Sequence, residues 1–497
     1  MTDRRDMAML GHGTFLVLAL FFIGPAALSA GGHPSGATLG VRLIPPGARQ
    51  SQSETALASV RRKDAAARDA KGNIVRLDPA EHMRRAAVYM GNRAFEEARQ
   101  HWQALIDYYP QDPRVPEALL GMGRSYFQSR YYAEAFATYD RLARDYSSTK
   151  EGREGLNFSA AALLRLEKFS DAASKYIEYI NRYPNGERID TAYLNVIDTL
   201  REANKSPEAI VWVAKARQRF AGTPTETNAL FALLRLYIAE DDWRQAVVTA
   251  DQLSRRSFPK SVQTSAAEVA YLRAFSLEQS GKKDEAVAAY LAIADGVESY
   301  YGWLATERLL ALVGTAKSRL VADRVERVNS EIASVSQQYP APYRQAIVRA
   351  AKDRKLDPRF ILALIRQESV FRPLAKSPSG ARGLLQLTID AAQKYATRAG
   401  LNTLRESQLY QPETSIMLGA EYLAELDDMF PQMLEAVAAS YNGGEDNVAR
   451  WVKRAKRKDA GVFTSEVGFD ETKAYVQKVM ANYRVYRQLY SVDLNRR

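Results

Sequence analysis

The chain has 497 residues, no cysteine and a formal net charge of +11. Since single cores rarely grow beyond roughly 250–300 residues, more than one domain is expected. The lack of cysteine excludes disulfides, thiolate metal sites and a lipid-modified cysteine, and the positive charge favours polyanionic partners such as nucleic acid, anionic lipid or cell-wall polymer.

Residues 1–30 have the pattern of a signal peptide. Arg4 and Arg5 precede an apolar run of about 14 residues that ends in small side chains. The run is shorter than the roughly 20 residues that span a bilayer. We therefore expect cleavage after Ser29 or Ala30, with a retained anchor or a buried helix as the alternatives. Cleavage would leave a soluble periplasmic or otherwise extracytoplasmic protein without an integral membrane segment, for which nucleic acid is an unsuitable partner.

Residues 31–79 are rich in Gly, Ser, Pro, Arg and Ala. This composition is typical of a flexible linker, and we expect at most a short helix near Ala65.

A 37-residue repeat starts at about residue 80. Alanine recurs in one register and an aromatic residue closes each unit. The alanines are Ala98, Ala135, Ala172, Ala209 and Ala246, and the aromatics are Tyr109, Tyr146, Tyr183, Phe220 and, one residue late, Phe258. Each unit predicts two amphipathic helices that must stack on their neighbours, because one unit alone cannot bury its apolar face. A looser sixth unit contains Ala286. The pattern resembles tetratricopeptide repeats and predicts a TPR-like α-solenoid over residues 80–315.

Residues 316–340 are expected to be a connecting segment, and residues 341–497 a separate domain. The apolar spacing in this domain is mostly helical, and no convincing alternating strand is present. The whole chain is therefore predicted to be all-α. Its four histidines show no metal-ligand spacing, so we expect neither metal nor cofactor.

Residues 358–369 predict a helix with Asp357 as its N-cap and Pro358 at its first position. One face of this helix consists of Ile361, Leu364, Ile365 and Glu368. Glu368 is the single polar member, and it is expected to point inward from the last turn. Burial would raise its pKa and keep it protonated, as a general acid requires. A glutamate that caps a neighbouring helix or pairs with an arginine is the alternative.

Two further segments carry polar groups beside glycines. Residues 377–386 form a glycine-bearing loop that leads into a helix, and residues 439–444 contain Tyr441 and Asn442 at a break. Taken singly, the first is better explained as an ordinary loop and the second as a turn that caps the helix predicted at 445–452.

Taken together, these segments resemble the signature of the soluble lytic murein transglycosylases. The matching residues are Glu368-Ser369, Ser377 with Gly380-Ala381, Gly383-Leu384-Leu385-Gln386, and Tyr441-Asn442 with Gly444. A later stretch, Glu471 to Val479, resembles the family's C-terminal motif. Ser299 to Leu309 resembles the segment that joins the helical ring to the catalytic domain in the larger members. The resemblance implies a goose-lysozyme-like α-helical catalytic domain that cleaves peptidoglycan glycan strands between N-acetylmuramic acid and N-acetylglucosamine without hydrolysis.

The implied mechanism uses one carboxylate. Glu368 would protonate the glycosidic oxygen and then take a proton from the C6 hydroxyl of the muramyl sugar, which closes a 1,6-anhydro ring. Ser377 and Gln386 would position the sugar and its acyl group, and Tyr441 and Asn442 would line the cleft. Glu471 is expected to order Tyr441 or a nearby loop. Three other acids are expected at helix starts: Asp390, Glu445 and Asp446.

Some positions leave alternatives open. Tyr475 is expected to pack, with a contact in the site as the alternative. The basic run 453–458 is expected to be a solvated loop, with contact to murein carboxylates as the alternative. Leu385 stands where the family usually has methionine, and Gly443 where it commonly has alanine. A hydrolytic muramidase and a non-catalytic wall-binding scaffold are the competing functions. The solenoid either holds glycan strands or docks other cell-wall enzymes.

Overall fold

Helices make up the regular secondary structure of this protein. The computed structural model describes residues 46–69, 72 and 74–497. Within these residues there are α-helices, two short 3-10 helices and isolated bridges, but no strand. The predicted all-α fold class is confirmed. The expected signal peptide and the first part of the expected linker lie outside the described residues. None of the described helices is both long and apolar enough to cross a membrane.

One compact unit extends to Leu233, within helix α10. Its helices are α1 Pro46–Ala66, α2 Pro79–Gly91, α3 Phe95–Tyr108, α4 Val115–Gln128, α5 Tyr132–Asp145, α6 Lys150–Arg165, α7 Phe169–Arg182, α8 Ile189–Glu202, α9 Ser206–Arg219 and α10 Pro224–Ala239.

The 37-residue register of the sequence reappears in the helical hairpins. The recurring alanines lie in the second helix of each hairpin, and all of them have 0% exposure: Ala98, Ala135, Ala172, Ala209, Ala246 and Ala286. Tyr109, Tyr146, Tyr183 and Phe220 are the C-cap residues of α3, α5, α7 and α9. At the buried alanine positions, a side chain larger than a methyl group would separate the helices that touch there.

Part of the expected flexible linker is helical and packed. α1 covers 21 residues, and Asp64 near its C-terminal end is 3% exposed. Its carboxylate accepts hydrogen bonds from Tyr89 Oη at 2.6 Å and from His101 Nε2 at 3.0 Å, and it pairs with Arg85. A composition rich in Gly, Ser and Pro did not reveal this buried carboxylate, because its partners lie on α2 and α3.

The second compact unit begins at Leu234. Its helices are α11 Trp243–Leu253, α12 Ala266–Gln279, α13 Lys283–Leu291, α14 Tyr300–Leu312, α15 Gly314–Lys317, α16 Arg319–Ser334, α17 Arg344–Asp353, α18 Pro358–Ser369, α19 Ile389–Ala396, α20 Pro412–Met429, α21 Leu434–Gly443, α22 Glu445–Ala455, α23 Ala460–Glu466 and α24 Asp470–Leu489.

The predicted boundary at residue 341 does not coincide with the limit of this unit. α12, α14 and α16 pack directly against α23 and α24. Lys473 on α24 donates to Glu268 on α12 at 3.1 Å, and Arg484 donates to Asp295 at 2.6 Å. Lys473 and Glu268 are buried, so removing one partner would leave an uncompensated charge.

Candidate active site

The helix that carries Glu368 begins and ends at the residues that local chemistry favours. Oδ1 of Asp357 accepts a hydrogen bond from the backbone N–H of Arg359 at 2.9 Å, and Pro358 occupies the first turn of α18. The apolar face is buried, with 0% exposure at Ile361, Leu364 and Ile365. The predicted cap and inward face are confirmed. The helix stops at Val370, whose φ of 50° is left-handed.

Glu368 is partly exposed in the last turn of α18, although the surrounding protein desolvates its carboxyl group. The hydroxyl of Tyr475 donates to its Oε1 at 2.6 Å. Burial raises the pKa of Glu368 to about 7, and the hydrogen bond from Tyr475 lowers it in part. Burial therefore outweighs the hydrogen bond, and the group is poised between its acid and base forms near neutral pH.

The expectation that Tyr475 only packs is wrong. Its position in α24 brings its hydroxyl to Glu368 because α18 and α24 lie side by side. Since the phenol already donates to Oε1, a proton on the carboxyl group belongs on Oε2. Among the described residues, none donates to Oε2, which leaves this oxygen available to a ligand.

Tyr441, which lies near Glu368, belongs to a row of three packed tyrosines. Tyr441 donates its hydroxyl to the backbone carbonyl of Leu385 at 2.6 Å, and its ring lies 5.1 Å from that of Tyr422. Tyr422 in turn stacks on Tyr395 at 5.6 Å. Burial, and then the nearby charge of Glu368, raise the pKa of both Tyr441 and Tyr475. These phenols remain neutral donors at physiological pH.

Ser377 and Gln386 hold the loop between α18 and α19. Oγ of Ser377 accepts from the backbone N–H of Ala381 at 3.0 Å. Nε2 of Gln386 donates to the carbonyl of Gly383 at 2.8 Å. Gly383 itself has φ 78°, and a Cβ atom there would lie 1.9 Å from the carbonyl oxygen of Leu409. These contacts fix the loop, and in the described part of the chain neither Ser377 nor Gln386 forms a hydrogen bond with Glu368.

Asn442 is held by Thr472, and Glu471 is not involved. Oγ1 of Thr472 donates to Oδ1 of Asn442 at 2.6 Å. Glu471 is exposed in the first turn of α24, and the hydroxyl of Tyr441 donates to the carbonyl of Leu385. A Cβ atom at Gly443 would lie 3.0 Å from Thr472, so glycine at this position leaves room for the threonine.

Comparisons with known proteins agree with this arrangement. Residues 345–463 match the family model of the transglycosylase SLT domain. This part of the chain is an SLT domain. Residues 83–148 match a tetratricopeptide repeat model, and residues 147–269 match the ARM repeat of tetratricopeptide repeat protein 21. The TPR-like repeat prediction is thereby confirmed.

Relatives of the SLT domain are longer proteins. A putative soluble lytic murein transglycosylase of Haemophilus influenzae is 35% identical over 156 residues, which cover 31% of this chain and 26% of the relative. Soluble lytic murein transglycosylase of Escherichia coli K12 is 32% identical over 31% of this chain and 24% of its own length. The matched region is thus about a quarter of these curated relatives. An inactive mutant of the lytic transglycosylase Slt from Pseudomonas aeruginosa has a similar fold, with a TM-score of 0.50, 19% identity and coverage of 88% of this chain and 86% of that chain.

A second glutamate whose pKa is raised to about 7 lies elsewhere in the SLT domain. Burial raises the pKa of Glu435, in the first turn of α21, to about 7. Its surroundings include Tyr300 and Asp459. Sequence reasoning missed Glu435 because its burial depends on α14, which is distant in the chain. Asp390, Glu445 and Asp446 lie at helix starts as predicted.

Most of the basic run 453–458 is engaged inside the unit. Arg454 donates to Glu466 at 2.7 Å and is buried. Lys456 pairs with Glu240 at 2.9 Å, and Arg457 pairs with Asp241. The expectation of a solvated loop is wrong for Arg454, which is buried in α22, whereas Lys456 and Arg457 form ion pairs at the surface with acids distant in sequence.

Proposed function

We propose that this chain is an exported peptidoglycan lytic transglycosylase, a carbon–oxygen lyase that acts on polysaccharide. It would cleave the β-1,4 bond between N-acetylmuramic acid and N-acetylglucosamine and leave 1,6-anhydro ends. The glycan strands of peptidoglycan are the proposed substrate, and the periplasm or another extracytoplasmic space is the proposed location.

One observation carries this proposal: Glu368 combines a pKa of about 7 with one oxygen bound to Tyr475 and the other available. A retaining glycosidase places a second carboxylate at roughly 5–5.5 Å, where its charge would raise the pKa of the acid. Within the described residues, burial is the sole cause that raises the pKa of Glu368. This favours a scheme with one carboxylate.

The proposed reaction uses both oxygens of Glu368. Protonated Oε2 of Glu368 donates to the bridging oxygen, the bond from that oxygen to C1 breaks, and the acetamido oxygen of the substrate stabilises the positive charge at C1. The carboxylate of Glu368 is stabilised by the hydroxyl of Tyr475. It then accepts the proton of the C6 hydroxyl, whose oxygen bonds to C1. One proton leaves and one returns, so no water is consumed.

The remaining candidates serve the substrate. Because the Oδ1 atom of Asn442 is occupied by Thr472, its Nδ2 group is the part offered to an acyl oxygen. Tyr441 would line the cleft, and Ser377 and Gln386 would shape the loop that positions the sugar. The repeats up to Leu233 would hold glycan strands or dock other cell-wall enzymes.

Digestion of purified sacculi, analysed by mass spectrometry, tests this function. The wild type should release anhydro-muropeptides, whose mass lacks one water relative to hydrolysis products. Glu368→Gln should release none, while Glu413→Gln, at an exposed glutamate in the first turn of α20, should match the wild type. Reducing ends would show a hydrolytic muramidase, and complete inactivity of the wild type would favour a binding scaffold.

A further inference from the structure

Two sides of the helix α24 have different partners. Thr472 and Tyr475 carry the hydroxyls that bond to residues of the candidate site. Lys473 and Arg484 are eleven residues apart, which is about 1,100° of helical rotation and brings them within about 20° of each other. Lys473 is about 200° around the helix from Tyr475. The helix therefore directs Tyr475 towards the candidate site and the two cations away from it.

The ammonium group of Lys473 is held by three oxygens. It donates to Oε1 of Glu268 on α12 at 3.1 Å, and to the backbone carbonyls of Gln263 at 2.9 Å and Ser465 at 3.3 Å. Oε2 of Glu268 accepts from the hydroxyl of Thr264 at 2.9 Å. The side chains of Lys473 and Glu268 are 8% and 1% exposed, so water could not take the place of a missing partner. This ion pair fixes the first turn of α24 relative to α12.

Arg484 holds the same side of α24 about 16 Å further along the helix. Its guanidinium donates to both carboxylate oxygens of Asp295, at 2.6 and 2.9 Å. The side chain of Asp295 is fully buried and also accepts from Oγ1 of Thr306 at 2.5 Å. A bidentate pair of this kind restricts orientation as well as distance. The two ion pairs together set the direction of α24 and its rotation about its own axis.

We propose that Glu268 is a positioning residue for the candidate active site. Its ion pair with Lys473 holds α24 so that the hydroxyl of Tyr475 reaches Glu368. Burial and the hydrogen bond from Tyr475 are the influences on the pKa of Glu368, so the ion pair acts through position and not through its charge. Glu268 lies within residues 147–269, which match the ARM repeat model. The repeat helices thereby contribute to a reaction whose substrate they do not touch at this point, and this role rests on the proposed function.

A double variant of the full chain removes the ion pair without leaving a buried charge. In Glu268→Gln/Lys473→Met both side chains keep nearly their length, and such a replacement is often neutral for stability. The rate of anhydro-muropeptide release from sacculi should fall about 3- to 10-fold. The alkaline limb of the pH–rate profile should move upward, because the hydrogen bond that lowers the pKa of Glu368 is weakened. Asp251→Asn/Arg273→Met removes a more exposed ion pair between α11 and α12, 2.6 Å long, and should match the wild type.

A double-mutant cycle with Tyr475→Phe separates positioning from general destabilisation. In the Tyr475→Phe background, Glu268→Gln/Lys473→Met should change the rate by less than about twofold, since the hydrogen bond is already absent. The same fractional loss in both backgrounds, or a wild-type rate in the pair variant, would overturn the proposal. If the pair variant does not fold, Thr264→Val serves in the same cycle, because it keeps the ion pair and removes only the hydrogen bond that orients Glu268. It should lower the rate about 2- to 3-fold when Tyr475 is present and not when it is absent.

Failure of the proposed function gives a different result, since Glu368→Gln would then release the same products as the wild type. The protonation of Glu368 can be followed without any assay, by the carboxyl signal of ¹³C-labelled glutamate that is missing from Glu368→Gln. The midpoint of this titration should rise in Glu268→Gln/Lys473→Met, whichever reaction the protein catalyses. An unchanged midpoint would contradict the positioning role of Glu268.

Discussion

The phenolic oxygen of Tyr475 lies 2.6 Å from Oε1 of Glu368, across 107 residues of sequence. The phenol opposes the effect of burial on the carboxyl group, because a hydrogen bond to the ionised form stabilises it. It also assigns the proton to the other oxygen. In the proposed reaction, Tyr475 would position the acid without touching the bond that breaks.

Tyr475→Phe should raise the pKa of Glu368 further, because only the opposing hydrogen bond is lost. The alkaline limb of the pH–rate profile, near pH 7 in the wild type, should move upward by about 1 pH unit. Activity below that limb should fall about tenfold, since the proton is no longer directed to Oε2. Tyr483→Phe is the control, because Tyr483 donates to Asp357 at 2.8 Å at the other end of α24. A wild-type profile in Tyr475→Phe would contradict this role.

Glu368→Gln should stabilise the protein at alkaline pH. The pKa of Glu368 is raised from 4.5 to about 7 in the fold, so the native state binds the proton more tightly than the unfolded chain. The contribution of the protonated Glu368 to stability is fully present below about pH 4.5 and is lost as pH rises through 7. The difference in the free energy of unfolding, variant minus wild type, should therefore increase by about 2–3 kcal/mol between pH 4 and pH 8. Denaturant titration measures this, and a constant difference would refute the burial of this carboxyl group.

Thr472→Val should impair the candidate site through Asn442. Valine keeps the shape of threonine but cannot donate to Oδ1 of Asn442. We expect kcat/KM on sacculi to fall about 3- to 10-fold, the value of one lost hydrogen bond. Thr472→Ser keeps the hydroxyl and should retain activity. Equal losses in both variants would assign the effect to packing.

Ala135→Leu should destabilise the repeat unit by about 1–3 kcal/mol or more, because the methyl group of Ala135 is completely buried between helices. Ala133→Leu is the same substitution at an exposed position of α5 and should change the free energy of unfolding by less than about 0.5 kcal/mol. Thermal unfolding of both variants gives the comparison. Similar midpoints would show that the recurring alanine does not set the helix spacing.

The helix α1 should lose its attachment in acid. Nε2 of His82 accepts from the backbone N–H of Leu77 at 3.2 Å, its Nδ1 lies 3.2 Å from Nδ1 of His101, and His101 reaches Asp64 at 3.0 Å. This series of hydrogen bonds from Leu77 to Asp64 is complete only when both imidazole rings are neutral. Burial lowers the pKa of His101, and burial with the neighbouring His101 and Arg85 lowers that of His82 to about 4, despite the opposing charges of Asp64 and Glu81.

Since the folded pKa of His82 is lowered, its contribution is present above pH 6.5 and is lost as pH falls towards 4. We expect amide hydrogen exchange in residues 55–66, corrected for intrinsic rates, to accelerate over that range. His82→Gln can still form hydrogen bonds but does not titrate, and it should flatten the dependence. Protection that is constant with pH in the wild type would contradict the role of this pair.

Periodicity alone determined the repeats and the inward face of α18. The alanine register and the pattern of Ile361, Leu364 and Ile365 are local features, and helix geometry converts them directly into buried positions. The N-cap Asp357 followed from the same local rules. Sequence resemblance to the SLT family, and not periodicity, indicated which reaction Glu368 would catalyse.

Only the tertiary structure decided which groups surround Glu368. Three features depend on contacts between different helices: the hydrogen bond from Tyr475 to Glu368, the hydrogen bond from Thr472 to Asn442, and the buried ion pair of Arg454 with Glu466. The same is true of α1, whose composition is that of a linker but whose Asp64 is buried among partners on α2 and α3. Local patterns specify which face of a helix is buried, whereas the partner of a polar group and its pKa depend on packing between elements.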